Sequence, residues 1–104
     1  MSRLDQIRSL LKDEPDDLFL NFGLAMELLA EGRLEEALQA FDRVIEIEAD
    51  HVPAYQQKAR ALLQQGRKDQ AARTLQAGIE AARRSGDNHA AEDMRKTLSA
   101  LQVE

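Results

Sequence analysis

The side chains best suited to chemistry are few in this 104-residue chain. His51 and His89 are its only histidines, and it has no cysteine. A structural or catalytic zinc site needs three or four converging His, Cys or carboxylate ligands. Neither histidine has a second histidine, or a carboxylate, at helix spacing with a third ligand in view. His51 sits in "EADHVPAY" and reads as a solvated turn residue; His89 falls in the first turn of the last expected helix and reads the same way. Two acidic pairs, Asp16 with Asp17 and Glu35 with Glu36, would serve acid–base chemistry only in a buried cleft. Their positions at helix starts suit the helix dipole instead. There is no glycine-rich phosphate loop, nucleophile elbow or activated serine arrangement. Without cysteine there is no thiolate or disulfide chemistry. The sequence therefore predicts no catalytic residue, no metal, no cofactor and no enzyme activity.

What the chain does carry is adhesive surface. "DLFLNFGLAMELLAEG", residues 17–32, reads as a helix that is apolar almost all the way round. At about 100° per residue, Phe19, Phe22, Met26 and Leu29 share one narrow arc. Leu18, Leu20, Leu24, Ala25 and Leu28 make a second face beside it, and Gly23, Glu27 and Ala30 leave the gap. A surface helix needs only one apolar stripe, roughly 100° wide or a little more.

The elements that would position this surface are all helical. Ala, Leu, Glu, Gln, Arg and Lys dominate. Residues 2–13 form a first helix, with Ser2 as cap and Leu4, Ile7, Leu10 and Leu11 as its stripe. Pro15 blocks its continuation. Asp16 or Asp17 caps the next helix, which ends at Gly32. A third helix spans 34–48, with Leu34, Ala37, Leu38, Phe41, Val44, Ile45 and Ile47 as its apolar set. Helices over 53–65 and 68–84 follow. Gly86 and Asp87 stop and restart the chain before a last helix over 88–102. Ala90, Ala91, Met94, Leu98 and Leu101 line that helix, which reads as a cap.

The length suits one domain over 1–104. No apolar run reaches the roughly 20 residues of a membrane span. The N-terminus lacks an apolar signal core, so a cytoplasmic location is expected, with no membrane partner. The formal charge of −5 is unevenly spread: residues 1–50 hold 13 acids and 5 bases, and 51–104 hold 6 acids and 9 bases. This reads as solvated helix faces, or as a charge dipole that orients a partner or a second copy. A net acidic chain with one Tyr and no Trp argues against a nucleic-acid partner.

The segments repeat. A shift of 34 residues superposes eight positions between Ala25 and Glu46 on their counterparts: Ala25 on Ala59, Leu28 on Leu62, Leu29 on Leu63, Gly32 on Gly66, Arg33 on Arg67, Ala37 on Ala71, Ile45 on Ile79 and Glu46 on Glu80. Two helices per 34 residues is the period of a helical-hairpin repeat. On these residues the chain resembles the tetratricopeptide repeat family, in its small bacterial type with two repeats plus flanking helices. The first repeat supplies Leu24, Ala25, Leu28, Gly32, Ala37 and Phe41. It departs at Asn21, where that family has an aromatic, and at Ala49, where it has proline. The second supplies Tyr55, Ala59, Leu62, Gly66, Ala71 and Leu75, and departs at Lys58 and Arg83.

The resemblance implies an all-α, right-handed solenoid of antiparallel helix pairs with about six helices. It implies an N-terminal helix over 1–15, repeats over 18–51 and 52–85, and a capping helix over 86–104. The last helix fits the repeat register only if one residue is inserted near Gly86. The resemblance also implies that first helices line a concave face that binds other proteins. Phe19, Phe22, Met26 and Leu29, with Gln56, Arg60 and Leu63 in the second repeat, are then the partner-binding residues. Pro53, Gln56 and Arg60 show that this face tolerates polarity. Internal cover by the N-terminal helix is the competing account of the apolar strip. Members that bind chaperone tails clamp a peptide carboxylate with Lys, Asn and Arg. Phe22 and Met26 stand where that clamp has Lys and Asn, which argues against this activity. Two functions remain: an adaptor that binds an apolar peptide or helix in its groove, or a structural unit that forms a homodimer through the same stripe.

Overall fold

The computed structural model describes residues 1–102; the last two positions of the expected 86–104 cap lie outside them. Among the described residues there are six helices and no strand: α1 (Arg3–Asp13), α2 (Leu18–Ala30), α3 (Leu34–Ile47), α4 (Val52–Gln64), α5 (Lys68–Arg84) and α6 (Asn88–Gln102). Each lies within a residue or two of its expected span. They fall into two compact units, residues 1–49 and 50–104.

In the first unit, Ser2 begins α1 with a reciprocal cap. Its hydroxyl accepts from the Asp5 N–H at 3.1 Å, and the Asp5 carboxylate accepts from the Ser2 N–H at 3.4 Å. Leu4 is buried on α1, and Ile7 and Leu11 are half-buried, but Leu10 is 53% exposed. The expected α1 stripe is therefore narrower by one residue, because a helix packed on one neighbour covers only one flank. Asp17, not Asp16, caps α2, accepting from the Leu20 N–H at 2.8 Å. Asp16 instead pairs with Arg43 on α3.

Asn21, standing where an aromatic was expected, is buried, and both N–H groups of its amide are bonded. Its Nδ2 donates to the carbonyls of Pro15 at 3.0 Å and Asp17 at 2.8 Å. Two satisfied donors lower the cost of burying the amide and tie it to the α1–α2 turn.

Gly32, with φ of +75°, ends α2. The Arg33 N–H reaches the Leu28 carbonyl at 2.9 Å and the Gly32 N–H reaches Leu29 at 3.0 Å. That pair of bonds is a Schellman stop, and its left-handed residue is the reason for glycine. α3 then folds back on α2. Ala25 and Ala37 are both fully buried, as are Phe41 and Val44. The small residues permit a close helix approach, and the large ones fill the space beside it.

The second unit repeats this plan. Gly66, with φ of +72°, makes the same stop between α4 and α5, and Ala59 and Ala71 are buried. It differs at the end of its second helix. α5 has 17 residues and α3 has 14. Arg83, in the proline position, lies within α5, whereas its counterpart Ala49 lies beyond the end of α3; neither repeat has the proline. α5 runs on to a third glycine stop at Gly86. With α5 longer, α6 starts at Asn88, past the 34-residue counterpart of Val52. Asp87 restarts the chain by accepting from the Ala90 N–H at 3.1 Å. α6 packs on α5 through buried Ala90, Ala91 and Met94, with Leu98 and Leu101 half-buried. Its outer side carries Glu92, Arg95 and Lys96, so it shows charge outward.

Candidate functional site

Each unit presents its own surface. In the first unit it is one face of α2. Phe19 is 85% exposed. Phe22, Met26 and Leu29, further along the same arc, are half-buried. The Phe22 ring meets the Phe41 ring edge-on, with centroids 6.1 Å apart and planes at 62°. This is a favourable aromatic geometry, so part of Phe22 belongs to the hairpin core. α1 lies against a different side of α2. A Cβ placed on Gly23 would stand 3.9 Å from Ile7 Cδ1, and Arg3 pairs with Glu27 at 3.5 Å. The N-terminal helix thus covers the Gly23–Glu27 flank and leaves Phe19 bare. Of the first stripe Phe19 alone is exposed; Phe22, Met26 and Leu29 are half-buried, as are Leu18, Leu20 and Leu24 of the second, whose Ala25 and Leu28 are buried.

In the second unit, α4 and α6 flank a cavity of about 540 Å³. Gln56, Arg60 and Leu63 all line it, and Gln57 and Gln64 join them from α4. Its apolar side is Ala59, Leu75 and Met94; α6 adds Asp93 and Thr97. The sequence assigns only Gln56, Arg60 and Leu63 to this surface; the other seven lining residues are not among its expected site residues. Gln57 and Gln64 were visible in principle, since both share the arc of α4 that holds Pro53 and Arg60. The α6 residues were not, because their place follows from how α6 packs. Gly78 lets that packing happen. A Cβ there would stand 2.7 Å from Met94 Sδ and 2.8 Å from Tyr55 Cβ.

The electrostatics near the cavity are mixed. Asp93 faces His89 Nε2 at 3.3 Å, and His89 itself is exposed. His51 is half-buried, less solvated than its turn position suggested; it begins α4, and its carbonyl accepts from the Ala54 N–H. Burial raises the Tyr55 phenol above its ordinary value; Arg84 opposes this and Asp50 adds to it. Arg84 holds Asp50 with two nitrogens, at 2.7 and 2.8 Å. Its own pKa is raised, first by that hydrogen bond. A hydrogen bond from Arg95 lowers Glu92. Among the described residues no three His, Cys, Asp or Glu side chains gather to hold a metal ion. Likewise, no helix among them is long and apolar enough to cross a membrane.

Helix pairs closed by the same glycine stop, with alanines at the crossings, define an all-α helical-repeat protein. The tetratricopeptide repeat family model matches residues 28–93, and the chain belongs to that family. A tetratricopeptide repeat domain protein from Salinibacter ruber, solved by NMR, is 27% identical; the match covers 86% of this chain and 92% of that one, with a TM-score of 0.77. PcrH, solved in complex with the chaperone-binding region of PopD, is 19% identical over 95% of this chain and 75% of its own, with a TM-score of 0.85. The TPR2B domain of yeast Sti1, in a complex with pHsp70, is 20% identical over 95% and 79%, with a TM-score of 0.82. The likeness to the last two is one of fold. No curated protein sequence matches the chain.

Proposed function

We propose that this chain is a non-catalytic protein-interaction module whose α2 face receives an apolar helix or peptide of a partner. The observation that carries this reading is Phe19, 85% exposed on a helix whose other large apolar residues are at least half-buried. Phe22, Met26 and Leu29 extend the same arc along α2. A bare Phe continued by half-buried apolar residues supports contact with something else, and Phe and Met suit an adaptable contact. The α4–α6 cavity, with Gln56, Arg60 and Leu63, is a second and more polar surface in its own unit. PcrH and the Sti1 domain, each solved with a bound partner, support the general class of activity.

The test is the double variant Phe19→Gln plus Met26→Arg. Stability should fall by only about 1 kcal/mol, because the 34-residue counterparts Pro53 and Arg60 already fill these places. Helical peptides selected against the parent chain from a display library should lose binding to the variant. A loss of several kcal/mol, independent of concentration, would instead mean that the strip is core, since a buried unpaired Arg has no compensation. Failure to select any peptide would also remove the reading.

A further inference from the structure

We infer that the partner segment docking on α2 is a cationic amphipathic helix, with an apolar face flanked by Lys and Arg. This rests on the reading of the α2 face just given. The first observation is geometric. Phe19, Phe22, Met26 and Leu29 follow helical spacing along one arc of α2, a run of about 15 Å. A helix laid along this line offers apolar residues at matching i, i+3 and i+7 intervals.

The second observation is charge. Residues 1–49 hold 12 acids and 5 bases, a net −7, while residues 50–104 are net +2. α2 carries no base and only one acid, Glu27. The four arginines of this unit are already engaged: Arg3 with Glu27, Arg8 with Glu36, Arg33 with Glu31 and Glu36, and Arg43 with Asp16. Each has a carboxylate partner, and the unit as a whole keeps its excess negative charge. A cationic segment is drawn to that field; an anionic one is repelled. The same argument disfavours a second copy. A twofold dimer through α2 sets like surface on like surface, and so one −7 unit against another.

Three synthetic helical peptides test this, sharing one apolar face and carrying Lys/Arg, Gln or Glu on its flanks. Each is titrated against the full chain by fluorescence anisotropy at low and high salt. The Lys/Arg peptide should bind at least about tenfold tighter than the Glu peptide at low salt, and the gap should narrow as salt screens the unit's charge. The neutral variant Phe19→Gln plus Met26→Gln should abolish binding of the Lys/Arg peptide. Equal affinity of all three peptides would overturn the cationic partner and leave the apolar site standing. No binding by any peptide would remove both. Undiminished binding to the neutral variant would put the peptide elsewhere on the acidic surface. Self-association of the parent chain, lost in that variant, would assign the face to a second copy.

Discussion

Single atoms decide the tightest contacts of the second unit. Gly78 lies beneath Met94 and Tyr55, and an added Cβ would approach Tyr55 Cβ to 2.8 Å. Gly78→Ala should therefore cost about 1–3 kcal/mol, although alanine is the better helix former. Gly23 is the matched control: its Cβ would meet only Ile7 Cδ1, at 3.9 Å. Gly23→Ala should gain up to about 1 kcal/mol from helix propensity alone. Urea melts of both variants check the sign at each site. Tyr55 offers a pH test, since it is the only tyrosine and there is no tryptophan. Burial raises its pKa above the ordinary 10.0. The unfolded chain then ionises first as pH rises. The tyrosine's contribution to stability is full below the unfolded value and is lost as pH climbs through the folded one. Absorbance titration of the phenolate should give a midpoint above 10.0 in the native chain; a midpoint at the ordinary value would contradict the burial. At this scale the small residues were legible, because Ala37 and Ala71 recur in register. Asn21 was visible only as a departure, since its two carbonyl partners lie in a turn whose path the sequence does not specify.

Among the elements, the helix pairs depend on small residues at their crossings. Ala37 and Ala71 are both 0% exposed. Ala37→Leu and Ala71→Leu should each overpack a crossing and destabilise by about 1–3 kcal/mol; unchanged thermal melts in both would undo the repeat assignment. α6 tests a different dependence. Ala90, Ala91 and Met94 are buried, and α5 is what they pack on. Truncation after Gly86 bares that side of α5, so cooperative unfolding should be lost or the chain should aggregate. A truncated chain that stays soluble and monomeric with an undiminished midpoint would make α6 a dispensable tail. The six spans were legible because caps, glycine stops and apolar periodicity are local properties. The longer α5 was less so: the proline is missing in both repeats, at Ala49 and at Arg83, and only the second helix runs on.

For the whole molecule, the main question is whether it recognises itself or another protein. A net charge of −5 with a −7 first unit opposes symmetric pairing through α2. Sedimentation over a wide concentration range at neutral pH should thus give the mass of a single chain throughout. A rising mass that collapses in the Phe19→Gln plus Met26→Arg variant would favour the homodimer instead. Because association adds to apparent stability, melts of parent and variant need comparison at matched concentrations.

The helices, their glycine stops and the 34-residue repeat are all readable from the order of residues. Each is written in short-range physics: the 3.6-residue period, side-chain caps, and a left-handed turn residue that glycine alone adopts without strain. The sequence also marked the α2 strip as surplus to one core. Which part of that strip stays open was decided only by tertiary structure. Phe22 is drawn toward Phe41, α1 takes the Gly23–Glu27 flank, and Phe19 is left to solvent. The α4–α6 cavity likewise needs α6 in place, with Met94 seated by Gly78 and also lining the cavity. Those outcomes depend on neighbours distant in the chain, and a helix face does not encode which of them will arrive.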